Sequence, residues 1–182
     1  MERWANCPGS INLSKDLPPA PSSPYAEEGT KAHEFAEKWL REKKRPVTPD
    51  LDMVGYVSVY VGHVNGLRGR KMIEQSFNLS SIAPDLGGTC DAIVMNSETK
   101  TLHVVDLKYG AGIPVEVVGN KQLKYYALGA LLHTGFPCET VEITIVQPRC
   151  NHPQGFIRSE QIPALELLDF AAELKEVAEL CD

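Results

Sequence analysis

No stretch of the 182 residues reaches eighteen consecutive apolar positions, so no membrane-spanning helix is expected. The opening MERWANCPGS has neither a basic n-region nor an apolar h-region, which argues against a secretory signal. The expected location is therefore the cytoplasm, the host's if the chain is phage-encoded. Five cysteines (Cys7, Cys90, Cys138, Cys150 and Cys181) are scattered, with no CxxC and no Cys/His pair at zinc-site spacing. Their odd number also argues against a closed disulfide framework, so reduced structural thiols are expected. A GxxxxGK[ST] phosphate loop is missing, so ATP-driven unwinding cannot come from this polypeptide.

What is present suits one compact α/β domain over residues 1–182, with 43% hydrophobic and 23% charged residues. The formal charge of −6 is unevenly placed. Glu160 to Asp182 holds seven acids and one base, which leaves residues 1–159 balanced. Within that balanced part, KWLREKKR (Lys38–Arg45) and RGRK (Arg68–Lys71) are locally basic. Each reads equally as the solvated end of an element or as a phosphate-facing surface.

A Pro/Ser-rich loop, DLPPAPSSPY, separates an N-terminal segment (1–24) from a core (25–148). The core opens with AEEGTKAHEFAEKWLREKK, where Ala32, Phe35, Ala36, Trp39 and Leu40 recur at helical spacing until Pro46. Residues 51–67 fit a helix through Val54, Val57, Val61 and Val64, although Val57, Val59 and Val61 also alternate like a strand. Three strands follow, KMIEQSFNL, GTCDAIVMN and TLHVVDLKY, with SETK as a turn between the last two. GNKQLKYYALGALLHTG reads as a helix closed by Gly135, and TVEITIVQP as a fourth strand. An acidic helix is expected to occupy 160–182, starting at Pro163. The order predicts a central mixed sheet of about four strands flanked by helices.

Two of these strands carry an aspartate among apolar residues, Asp91 and Asp106. Alternation puts Asp106 and Lys108 on one face. Fourteen residues separate the aspartates, so a hairpin centred near Ser97–Glu98 sets them opposite each other. Opposed carboxylates repel unless a cation lies between them, and oxygen ligands favour Mg²⁺ or Mn²⁺. Alone, a DxK is an exposed ion pair; inside a strand apolar on both faces, the carboxylate needs a partner.

GTKAH, GTCD, VVDLKYG and QLKYY, in that order, resemble the PD-(D/E)XK nuclease superfamily, in its RecB-type and phage exonuclease branch. The N-terminal RWANCPGSINL with YAEEGTKAHEFAE resembles an uncharacterised phage group within it, and the likeness spans about Arg3 to Pro148. It implies a restriction-endonuclease-like core and one or two Mg²⁺ or Mn²⁺ ions. The implied ligands are His33, Asp91, Asp106 and the Leu107 backbone carbonyl, with Lys108 positioning or polarising the attacking water. Gln122 and Tyr126, four apart and so on one helix face, match the pair that contacts the substrate backbone. Glu28 and Glu74 are candidate supporting carboxylates. Some relatives hold an iron–sulfur cluster, but the spacing of Cys138, Cys150 and Cys181 is too wide, so none is expected. The implied activity is a DNA exonuclease of recombination or DNA processing that leaves 5′-phosphates, with a recombination protein as a candidate partner. The alternatives are a structure-specific or single-strand endonuclease, a catalytically silent DNA- or partner-binding module, and a metal-dependent small-molecule hydrolase.

Overall fold

The computed structural model describes residues 23–84 and 86–179. Cys7, Cys181, nearly all of the N-terminal segment and the last turn of the acidic helix lie outside the described residues. Helix α1 (Pro24–Glu42) starts where the Ser23 hydroxyl accepts the Ala26 amide at 3.2 Å, with proline in its first turn. Ala32, Ala36 and Leu40 form its buried stripe, and Lys43 closes it in the left-handed region at φ 53°. Residues 51–67 resolve to helix: Asp50 caps α2 (Leu51–Gly66), its Oδ1 accepting the Met53 amide at 2.8 Å. Met53, Val57, Tyr60, Val61 and Val64 face inwards at helical spacing, and this burial decides against the strand.

Five strands form one sheet in the order β1 (Arg70–Asn78), β2 (Gly87–Asn96), β3 (Thr101–Leu107), β4 (Thr140–Val146) and β5 (Ile157–Pro163). The first three make an antiparallel meander, with Asn96 paired to Thr101 around the SETK turn. Helix α3 (Lys121–Thr134) carries the chain back so that β4 lies parallel to β3. Helix α4 (Glu166–Glu179) follows β5. Every residue of central β3 is buried. Helices α1 and α2 share a core with Ala92, Val105 and Leu107, while α3 and α4 pack with Ile93, Leu102 and Val104 on the other face.

β5 corrects the expectation of about four strands and of an acidic segment helical from residue 160. Ile157–Pro163 is an edge strand antiparallel to β4, and Pro163 ends it. Its inward residues are Arg158 and Ile162, and the buried arginine breaks the apolar alternation by which a strand is read. Arg158 is tolerated there because it donates to Gly155 and Val115 carbonyls and to Gln147 Oε1, at 2.8–2.9 Å.

Candidate metal and active site

The site lies where the sheet forks. The ladder between β2 and β3 stops at Ala92–Val105, and one further step of that register sets Asp91 opposite Asp106. Beyond it the first half of β2 pairs with β1 alone. Asp91 takes over the lost ladder bond: its Oδ2 accepts the Leu107 amide at 2.7 Å. On the other side of β2, the register places Glu74 of β1 level with Asp91, between the pairs Ile73–Ala92 and Gln75–Cys90. Three carboxylates, Glu74, Asp91 and Asp106, therefore stand in a row across three antiparallel strands.

The backbone is distorted along that row. Glu74 has φ 46°, a conformation that costs a non-glycine residue on the order of 1–3 kcal/mol. Cys90 and Ile93, three apart, pack in the same core, whereas unbroken alternation would send them to opposite faces. Arg41 of α1 pins the peptide next to the kink, donating to the Ile73 carbonyl at 2.7 Å.

Helix α1 lowers His33 onto the row. Its Nδ1 lies 3.4 Å from Asp91 Oδ1 and 4.0 Å from Glu74 Oε1. Among the described residues, His33, Glu74 and Asp91 each offer a ligand atom within 4.8 Å of the others, and Asp106 falls outside this trio. Lys108 draws the Asp106 carboxylate, its Nζ 3.0 Å from Oδ2 and 3.2 Å from Oδ1.

The charges respond as a group. Burial pulls the His33 pKa down, but the hydrogen bond and charge of Asp91, with Asp106 and Glu74 behind it, push it up to about 9. Burial and then the Asp91 charge raise Glu74 to about 7. The same two causes raise Asp106 to about 6, against the pull of Lys108. Like charges held together out of water resist ionising together. Asp106 Oδ2 is buried, and its charge partner is the Lys108 ammonium at 3.0 Å. Carboxylate oxygens gathered with one imidazole fit a hard divalent cation.

A second arm runs from Lys108 to α3. Lys108 Nζ donates to Gln122 Oε1 at 2.9 Å, and Gln122 Nε2 donates to the Tyr126 hydroxyl at 3.1 Å. Asn120 caps α3, and this start fixes Gln122 and Tyr126 one turn apart towards the fork.

A family model described as "Protein of unknown function (DUF2800)" matches residues 1–181. The chain belongs to the DUF2800 family. It is similar to two solved structures. One is titled "Crystal structure of SSO0001", at 14% identity over 100% of this chain and 86% of that one, with a TM-score of 0.31. The other is an alkaline exonuclease from Laribacter hongkongensis, at 11% identity over 99% and 94%, with a TM-score of 0.35. Likenesses at these TM-scores leave the reading of the site to its own geometry.

In this DUF2800 chain, then, tertiary packing joins His33, Asp91 and Glu74, and links Asp106 to Lys108, Gln122 and Tyr126. Glu28 goes elsewhere: Arg149 donates to its Oε2 at 2.7 Å, and the same guanidinium stacks 4.6 Å from the Tyr109 ring. Cys90, Cys138 and Cys150 are free thiols. No helix among the described residues is long and apolar enough to cross a membrane.

One residue escaped the sequence reading. Tyr60 of α2 is 1% exposed, and its hydroxyl has no hydrogen-bond partner among the described residues. Burial raises its pKa, and the charges of Asp91, Glu74 and Asp106 raise it further. The only signal in the sequence is a tyrosine inside an otherwise valine-rich helical stripe.

Proposed function

We propose that the protein is a divalent-metal-dependent nuclease that hydrolyses phosphodiester bonds in DNA. The observation that carries this reading is the row Glu74–Asp91–Asp106 at the sheet fork, with His33 above it and Lys108 paired to Asp106. His33, Asp91 and Glu74 would hold Mg²⁺ or Mn²⁺, with Asp106, next in the row and paired to Lys108, adding a carboxylate oxygen. Bound there, the cation would offset charge developing on the phosphate and make water a better nucleophile at neutral pH.

The chain's own groups would do the rest. Lys108 has three N–H donors and no acceptor. Asp106 and Gln122 hold the ammonium in place, and its side chain keeps 24% exposure, so it stays open to substrate. A remaining donor can orient a water molecule or a phosphoryl oxygen at the fork. Gln122 is itself held by Tyr126, so Lys108 needs little reorganisation when substrate arrives. Hydrolysis with loss of the 3′-oxygen would leave a 5′-phosphate. Action from free DNA ends, on linear rather than circular substrates, follows the sequence resemblance to RecB-type exonucleases.

End-labelled linear and circular DNA, incubated with Mg²⁺, Mn²⁺ or EDTA, tests this directly. Wild-type protein should degrade linear DNA only with metal. Asp106→Asn and Lys108→Ala should lose at least about 100-fold in rate, the scale of losing a positioned electrostatic group, while keeping the wild-type circular dichroism spectrum. Undiminished turnover in either folded variant would overturn the assignment.

A further inference from the structure

The two basic stretches of the sequence, thirty residues apart, meet in the fold. The end of α1 and the start of β1 wall one groove of about 860 Å³, lined by Trp39, Arg41, Lys43, Lys71, Ile73 and Gln75 among others. Among the described residues, three cations line it and no acid does. β1 is the outer strand of the sheet, bonded among the described residues to β2 alone, so the groove runs along that edge. Ile73 and Gln75 flank Glu74, which sets the groove beside the metal-binding trio.

We propose that this groove is the track for a single-stranded DNA segment leading to the carboxylate row. The cations are placed for that work. Arg41 is pre-positioned by Glu37 and by the Ile73 carbonyl, both at 2.7 Å. Lys71 is steadied by the Leu67 carbonyl at 2.6 Å and, like Lys43, makes no ion pair among the described residues. Both lysines are exposed. A polyanion gains from such a strip, and a chain of phosphates can run from these cations to a metal held at the carboxylates. Trp39 adds an aromatic wall on which a base can stack, a contact open to unpaired bases.

Lysines at a sheet edge also prevent edge-to-edge pairing, and lysines at a helix end offset its dipole. Neither role produces a salt-dependent affinity for DNA, so binding separates them. The inference rests on the nuclease reading only for what the strand is delivered to.

The test is anisotropy of fluorescein-labelled oligodeoxythymidylate in EDTA, where no cleavage occurs, across a range of salt. Lys43→Gln/Lys71→Gln should bind about 10-fold more weakly at low salt. Its slope of log affinity against log salt should be shallower by about 1.4, at about 0.7 per lost single-strand contact. Lys175→Gln on α4 should match wild type. If the double variant keeps the wild-type affinity and slope, the groove proposal fails, whether or not the protein cleaves DNA. If a duplex of the same length competes equally well, the single-strand assignment fails. If the double variant loses binding but wild type cleaves nothing with Mg²⁺ or Mn²⁺, the groove stands and the nuclease reading falls.

Discussion

Removing metal should make this protein less stable as pH rises from about 4.5 to about 9, a range set by Glu74 at one end and His33 at the other. An acid whose pKa is higher folded than unfolded favours the folded state most below its unfolded value. That advantage drains as pH climbs through the folded value. Glu74 moves from 4.5 to about 7 and Asp106 from 3.8 to about 6. At about 1.4 kcal/mol per pH unit, either alone is worth about 3 kcal/mol. Burial, the largest cause for each, acts on the two groups separately, so at least about 3 kcal/mol is expected for the pair. For a chain of this size that is a fall of about 6–12 °C in Tm. His33 acts in the same direction: its contribution is full below 6.5 and is lost as pH rises through about 9. His63, whose pKa burial lowers, pulls the other way below 6.5, so one profile alone does not decide. The deciding comparison is Asp91→Asn, scanned by calorimetry in EDTA beside wild type. The variant lacks the shared repulsion and should lose less Tm with rising pH. Adding Mg²⁺ at pH 8 should raise the Tm of wild type but not of the variant. A wild-type profile that is flat or rising, and parallel to that of Asp91→Asn, would refute a common volume for the three carboxylates.

Other substitutions probe the surroundings of the row. Tyr60→Phe deletes a buried hydroxyl that has no partner. Metal-free Tm should hold or rise by the equivalent of about 1 kcal/mol, while metal-dependent cleavage slows if the phenol serves the site; reduced Tm with unchanged cleavage would show a packing role. Two helix glycines give opposite signs. At Gly129 of α3 a Cβ would sit 2.3–2.6 Å from the Phe77 ring, which is wedged against Tyr125 and Tyr126. Overpacking there costs about 1–3 kcal/mol and should outweigh the helix preference of alanine, about 1 kcal/mol. At Gly62 of α2 a Cβ meets nothing within 4 Å, so Gly62→Ala should be stabilising by up to about 1 kcal/mol. Chemical denaturation of both variants checks the pair, and a stabilised Gly129→Ala would contradict the packing of α3 on β1.

The meander, the α3 crossover and the facing of Asp91 and Asp106 were legible in the residue order, because alternation and turn length are local properties. Lys108 beside Asp106 followed from the same period of two. Tertiary structure alone decided that Glu74 joins His33 and Asp91, because a left-handed residue in β1 abolishes the alternation from which its direction would be read. It decided too that Glu28 turns to Arg149, that the Tyr60 hydroxyl is buried, and that Lys43 and Lys71 share one groove. Each depends on how a helix lies across the sheet. β5 stayed hidden because Arg158, held by the Gly155 and Val115 carbonyls and the Gln147 side-chain amide, replaces the apolar residue that marks a strand. Local periodicity places a side chain on a face; only packing decides which other faces it meets.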